Sequence, residues 1–246
     1  MNIPLNGNTH KMNILAIETT GAVAGVALVC PNRIIAEFSV NNGMTHSALL
    51  MPLIDAMLTS AAFDKRDIDY IACSAGPGSF TGLRIGAAAA KGLAFALSRQ
   101  IVRVSTLDAM AYNVFSGTDG IVAPIMDARR NQVYAALYEH HGGTSRRLTE
   151  DLACDFEHIA HLAESAAINH GLPITFLGDG CAVHKDKIEL MQNACIAPIE
   201  RRLQRAVSVG VLALQAIEVG CAAVDPADFE PSYVRPSQAE REASES

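Results

Sequence analysis

Residues 13–40 read NILAIETTGAVAGVALVCPNRIIAEFSV, three aliphatic, β-branched runs parted by Gly-Ala-Val and by Pro-Asn. The short breaks predict a tightly turned antiparallel meander, so a sheet opens the domain. Just downstream the period changes. THSALLMPLIDAMLTSAAF, from Thr45, sets Leu50, Leu53, Ile54, Met57, Leu58 and Ala61 along one side of a helix. IDYIACSAG returns to strand, SFTGLRIGAAAAKGLAFAL to helix, and QIVRVST with LDAMAYNVF adds one more of each. The order βββαβα predicts α/β layer packing.

SGTDG at residues 116–120 breaks the pattern. After it, IVAPIMDAR and NQVYAALYEH predict a hairpin around Arg129 to Asn131 and start a second sheet. LPITFLGDG repeats the grammar of a strand followed by glycine, and a helix from about Val207 to Val219 is free to close either half. These boundaries predict a disordered extension at 1–11, an N-terminal subdomain at 12–116, a C-terminal subdomain at 117–235 and a polar, acidic, disordered tail at 236–246.

Composition narrows the function. The chain has 246 residues, 50% of them apolar, enough for two small cores or one large one. A net charge of -7 without a basic cluster argues against autonomous nucleic-acid binding, which draws its affinity from phosphate neutralisation. The six cysteines form no CxxC pair, which excludes a zinc ribbon or a dithiol motif and fits reduced thiols. The N-terminus lacks a signal-type apolar core, and no later run reaches about 18 uninterrupted apolar residues. A cytoplasmic protein with no membrane partner is expected.

The glycine-rich stretch SAGPGSFTGLRIG, from Ser74, resembles a phosphate loop entering a helix. Pro77 and Gly78 suit the second and third positions of a type II turn, and Ser79 or Thr81 can cap the helix. A Walker loop would continue with lysine and a hydroxyl after Gly82, where this chain has Leu83 and Arg84, so a plain strand-turn-helix connection is favoured. On the helix itself Gly82, Gly86, Ala89 and Leu93 share one face, a small-residue stripe that lets another backbone approach. The first helix is apolar over more than half its circumference, including Leu49, Leu50, Leu53 and Met57. Either the two helices pack on each other or they present a partner surface.

Other candidates are weaker. Glu18, Thr19 and Thr20 sit at the first hairpin turn, where a carboxylate and hydroxyls can address magnesium or merely shape the turn. His46 opens the first helix with leucines one turn on, and His158 with His161 lacks a third ligand, so no metal site is expected. Asp127 and Arg129 read as a structural ion pair. Ser79 and Ser208 have no evident base, which leaves no catalytic residue assigned.

In order and spacing, NILAIETT, HSALLMPLI, AGPGSFTGLRIGAAAAKGLA, VSTLDAMA, DARRNQVYAALY, GDG and PSYVRP resemble the TsaB (YeaZ) family across nearly all of residues 12–236. The resemblance implies the actin-like ATPase fold (ASKHA, ribonuclease H-like) in two subdomains, each a mixed sheet with flanking helices. It further implies a non-catalytic relative of TsaD, the subunit that transfers threonylcarbamoyl to N6 of adenosine 37 in tRNAs reading ANN codons (t6A37). TsaD-type proteins hold a metal through a histidine pair on the first helix; here His46 stands alone with Leu50 a turn later. Glu18 also replaces the family's common aspartate.

The implied role is dimerisation with a TsaD-type subunit, on which a TsaE-type ATPase also docks. The contact set would be His46, Leu49, Leu50, Leu53, Met57, Ser79, Gly82, Gly86, Ala89 and Leu93. Glu18, Thr19, Thr20 and Arg84 would be vestigial nucleotide contacts. No cofactor is expected on the isolated chain, with ATP or ADP admitted only at the complex seam and tRNA reached only through the complex. In isolation the same apolar face permits a homodimer. The rivals are an autonomous ATPase or kinase built on Glu18, Thr19 and Ser79, and a metallopeptidase.

Overall fold

The computed structural model describes residues 12–115, 119–220 and 223–234. The expected disordered ends, the boundary at 116/117 and Cys221 lie outside the described residues.

The meander forms as read: β1 (Ile14–Glu18), β2 (Ala24–Cys30) and β3 (Arg33–Val40) pair antiparallel, after which α1 (His46–Ser60) crosses to β4 (Tyr70–Gly76), parallel to β1. Helix α2 (Phe80–Leu97) leads to β5 (Gln100–Ser105), giving the order β3-β2-β1-β4-β5. β1 is buried on both faces, which is why ILAI is apolar throughout and does not alternate. Leu15 and Ile17 join the core beneath α1 and α2, while Ile14 and Ala16 join the opposite core.

The second sheet repeats this plan. Helix α3 (Thr106–Tyr112) precedes β6 (Gly120–Asp127), and an antiparallel strand, broken into β7 (Gln132–Ala135) and β8 (Tyr138–His141), lies along it. The next strand is broken as well: β9 (Thr144–Arg147) pairs with β8 and β10 (Leu152–Asp155) with β7. Helix α4 (Phe156–His170), β11 (Ile174–Leu177), the short helices α5 (Gly180–Val183) and α6 (Lys185–Glu189), and β12 (Ala194–Ile196) follow. The order β10-β7-β6-β11-β12 matches that of the first sheet position by position. This duplicated plan is the actin-like ATPase architecture.

The closing helices are exchanged. After the single turn α7 (Ile199–Arg202), α8 (Ala206–Glu218) packs Val209, Ala213 and Leu214 against Ile14, Ala16 and Val29 of the first sheet. Conversely, Leu107 and Met110 of α3 pack against Val122, Met126 and Leu177 of the second. Among the described helices α2 alone has the length and hydropathy of a membrane span. It carries Arg84 and Lys91, however, and docks on the sheet through buried Gly82, Leu83, Gly86, Ala87, Ala90 and Ala94.

Candidate functional site

The β1–β2 turn faces the β6–β7 turn across a cleft of about 440 Å³ lined by Thr20, Gly21, Ser79, Asp127, Arg129 and Asp179, with Phe80 at its rim. Glu18, at the end of β1, is fully buried. One carboxylate oxygen accepts from Thr20 N at 2.6 Å and Thr20 Oγ1 at 2.5 Å, and the other accepts from the Ser74 hydroxyl. Burial pushes its pKa up, opposed by the hydrogen bonds from Ser74 and Thr20. The acid therefore braces its own turn. Across the cleft, Asp179 accepts from Asp127 N at 3.1 Å, and Arg129 lies 3.5 Å from the Asp127 carboxylate, the ion pair expected from sequence. Burial raises the pKa of Asp179.

A nucleotide phosphate would need free N–H donors or unpaired cations here. The start of α2 offers few, because Ser79 N donates to Thr20 O at 2.7 Å and Gly82 N to the capping Ser79 Oγ at 3.3 Å. The lining cation Arg129 is paired, and Asp127 and Asp179 add negative charge. The cleft lining thus offers a bare phosphate no unpaired cation and turns two carboxylates toward it. Among the described residues no group of three or more His, Cys, Asp or Glu side chains is placed for a metal.

The glycines serve packing. A Cβ on Gly82 would lie 2.0 Å from Thr19 O, one on Gly86 2.5 Å from Thr19 Oγ1, and one on Gly78 2.6 Å from Thr20 O. Thr19 Oγ1 completes the contact by donating to Gly82 O at 2.8 Å. The expected type II turn is corrected: Gly76, at φ +121, takes the positive φ, and Gly78 does not. The Gly76–Pro77 bond is cis. Ser79 caps α2 as predicted.

The predicted contact stripe is likewise corrected. Leu50 and Met57 are core residues, and Gly82 and Gly86 press on Thr19, just past the end of β1, so none of the four is available to a partner. Half-buried His46 instead ties α1 to the first hairpin, its Nε2 lying 2.8 Å from Gly21 O. Leu49, Leu53, Ala89 and Leu93 are intermediate in exposure, at the edge of the covered face. The solvent side of α2 is about a third of a turn away and runs through Arg84, Ala88, Gly92 and Phe95. On α1 it runs through Ala48, Met51, Pro52, Asp55 and Ala56. Phe95 is 82% and Met51 48% exposed. Arg84 does not join Glu18, Thr19 and Thr20; its guanidinium stacks 3.9 Å over the Phe80 ring. His158 and His161 are exposed on α4, and Ser208 is buried with its hydroxyl donating to Asn113 at 2.6 Å.

A family model described as TsaD, tRNA N6-adenosine threonylcarbamoyltransferase, matches residues 40–243. The tRNA threonylcarbamoyladenosine biosynthesis protein TsaB of Bacillus subtilis is 36% identical over 181 residues, covering 72% of this chain and 76% of that protein. The chain belongs to the TsaB (YeaZ) family. The TsaB of Escherichia coli is 37% identical over 130 residues, 52% of this chain and 55% of the relative, so the chain spans about half of that protein's length. A solved structure of YeaZ from Pseudomonas aeruginosa superposes with a TM-score of 0.77 at 26% identity, covering 91% of this chain and all of that one.

Proposed function

We propose that the chain is a non-catalytic dimerisation subunit in threonylcarbamoyladenosine biosynthesis, supporting a TsaD-type subunit in the cytoplasm. The carrying observation is the solvent face of α1 and α2, where small residues flank the exposed Met51 and Phe95 and Asp55 and Arg84 are the charged groups. Such a face lets a second helix pair approach closely, and burying its two large side chains is worth about 1.5–3 kcal/mol each. A TsaD-type protein matching the same family model would offer an equivalent helix pair, giving a pseudo-symmetric heterodimer. The chemistry belongs to that partner: threonylcarbamoyl passes from its adenylate to N6 of the tRNA adenine, AMP departs and the amine loses a proton. A TsaE-type ATPase would join the assembled pair, nucleotide would sit at the seam, and tRNA would be met only there.

Native mass spectrometry of the chain purified gently from its host tests this. A one-to-one complex with a TsaD-type protein, lost in Phe95→Asp, is the expected result. A lone chain that turns over ATP, with turnover lost in Glu18→Ala, would make it an autonomous ATPase.

A further inference from the structure

The segment after α8 returns to the first subdomain and ends on α2. Val224 exchanges backbone hydrogen bonds of 2.9 and 2.8 Å with Ile101, closing the β5 edge of the sheet. Lys91 of α2 then donates to the carbonyls of Ala227 at 3.2 Å and Phe229 at 3.0 Å, and Phe229 is buried in the core beneath α1 and α2. Ser232 N donates to Ala75 O at 2.6 Å, and Gly76 is glycine where a Cβ would lie 2.3 Å from Ser232 O. This strap delivers Tyr233 to the first turn of α2, with its ring centroid 5.2 Å from that of Phe80. Arg84 covers Phe80 as well, which makes a three-member stack of guanidinium and two aromatic rings.

The stack is solvent-facing, with Phe80 36% and Tyr233 42% exposed. Phe80, Arg84, Ala88, Gly92 and Phe95 follow one another at helical spacing, so it continues the exposed stripe of α2 without a break. Arg84 has no carboxylate partner among the described residues. Tyr, Arg and Phe are the side chains over-represented at interfaces, where preordered rings supply area at little entropic cost. We infer that the strap is part of the docking face, and that Tyr233, Phe80 and Arg84 receive an apolar surface of the TsaD-type subunit bearing a carboxylate opposite Arg84. The inference rests on the dimerisation reading above and extends it from two helices to the C-terminal segment.

The test is titration calorimetry of the full chain with the TsaD-type subunit of its host. Tyr233→Ala is expected to weaken binding by about tenfold or more, as loss of a contact-centre aromatic does, with the thermal melt held within about 2 °C. Tyr233→Phe should bind within about threefold of the parent, because the ring supplies the contact. A benzoylphenylalanine placed at position 233 should crosslink to the partner on irradiation. Parental affinity in Tyr233→Ala, or no crosslink in a fully formed complex, overturns the strap inference while loss of binding in Phe95→Asp leaves the dimerisation reading standing. No binding by the parent chain overturns both.

Discussion

The two subdomains share a strand order and differ in what they place over it. In the first, the helix after the fourth strand is α2, 18 residues long, and the strands of its sheet are continuous. At the same position the second has α5 and α6, of 4 and 5 residues. Its second and third strands are interrupted where Leu137 N turns to Thr149 Oγ1 at 2.9 Å and Leu137 O accepts from Leu148 N at 2.7 Å. Helix α4, its equivalent of α1, exposes Glu157, His158 and His161, whereas α1 exposes Ala48, Met51 and Ala56. Both halves nonetheless expose large apolar side chains, Met51 and Phe95 in the first and Ile168 and Leu190 in the second, so the contrast lies in the small neutral residues that flank them on α1 and α2. That contrast comes from the outward residues of two helices, since the folds beneath are alike.

The largest effect should separate the two sides of α2. Gly86→Arg, buried against Thr19, is expected to yield no folded protein, and Gly82→Ala to lose about 2–3 kcal/mol, read as a melt lowered by about 5–10 °C. Gly92→Arg lies in open space. It should hold or raise the melt by up to about 0.8 kcal/mol, because glycine is the poorer helix former, and still cost about a hundredfold or more in affinity for the TsaD-type subunit.

A smaller effect sets the buried acid of the first half against a buried histidine of the second. His140 is fully buried with neither ring nitrogen hydrogen-bonded, and burial lowers its pKa. Stability should be intact above about pH 6.5 and fall below it by up to about 1.4 kcal/mol per pH unit, until the folded form titrates too. Glu18, raised by burial, acts in the opposite sense: its contribution is fully present below about pH 4.3 and is lost as pH rises through the folded pKa. Denaturant melts across pH should flatten at the acid end in His140→Gln and on the rising limb in Glu18→Gln; an unchanged slope in either variant removes that residue's role. The smallest effect is Lys91→Met, which removes the two side-chain hydrogen bonds from α2 to the strap and should cost about 1 kcal/mol in a urea melt.

Much of this was legible in the sequence. Periodicity located the opening meander, both long helices, the hairpin at Arg129 and the helix at Val207, since each run repeats at the spacing of its own element. The orientation of α1 and α2 was not. A helix apolar over more than half its circumference gives little contrast to read, and the chain sank its branched residues, Leu50, Ile54 and Leu83, leaving alanine, glycine, Asp55, Arg84 and two large flexible or aromatic side chains outside. Gly82 and Gly86 read as an outward contact stripe because closeness to one's own backbone and to a partner's leaves the same signature. Nor does a helix pattern name the sheet it covers, which left the helix at Val207 open to either half and the packing of α3 on the second unread. Tyr233 stood within PSYVRP as part of a matching motif, but the role of the strap needs Lys91 and Ala75, far away in sequence.

The exchanged closing helices also matter while the chain is being made. About 100 residues separate the end of β5 at Ser105 from the start of α8 at Ala206. At a ribosomal pace of about 5–20 residues per second, the inner face of the first sheet waits about 5–20 s for its cover. Through that interval Ile14, Ala16 and Val29 lack α8 and have only Ala109 of α3 from the neighbouring helices in their cluster, which makes the nascent amino-terminal half a client for holdase chaperones and a poor candidate for expression by itself.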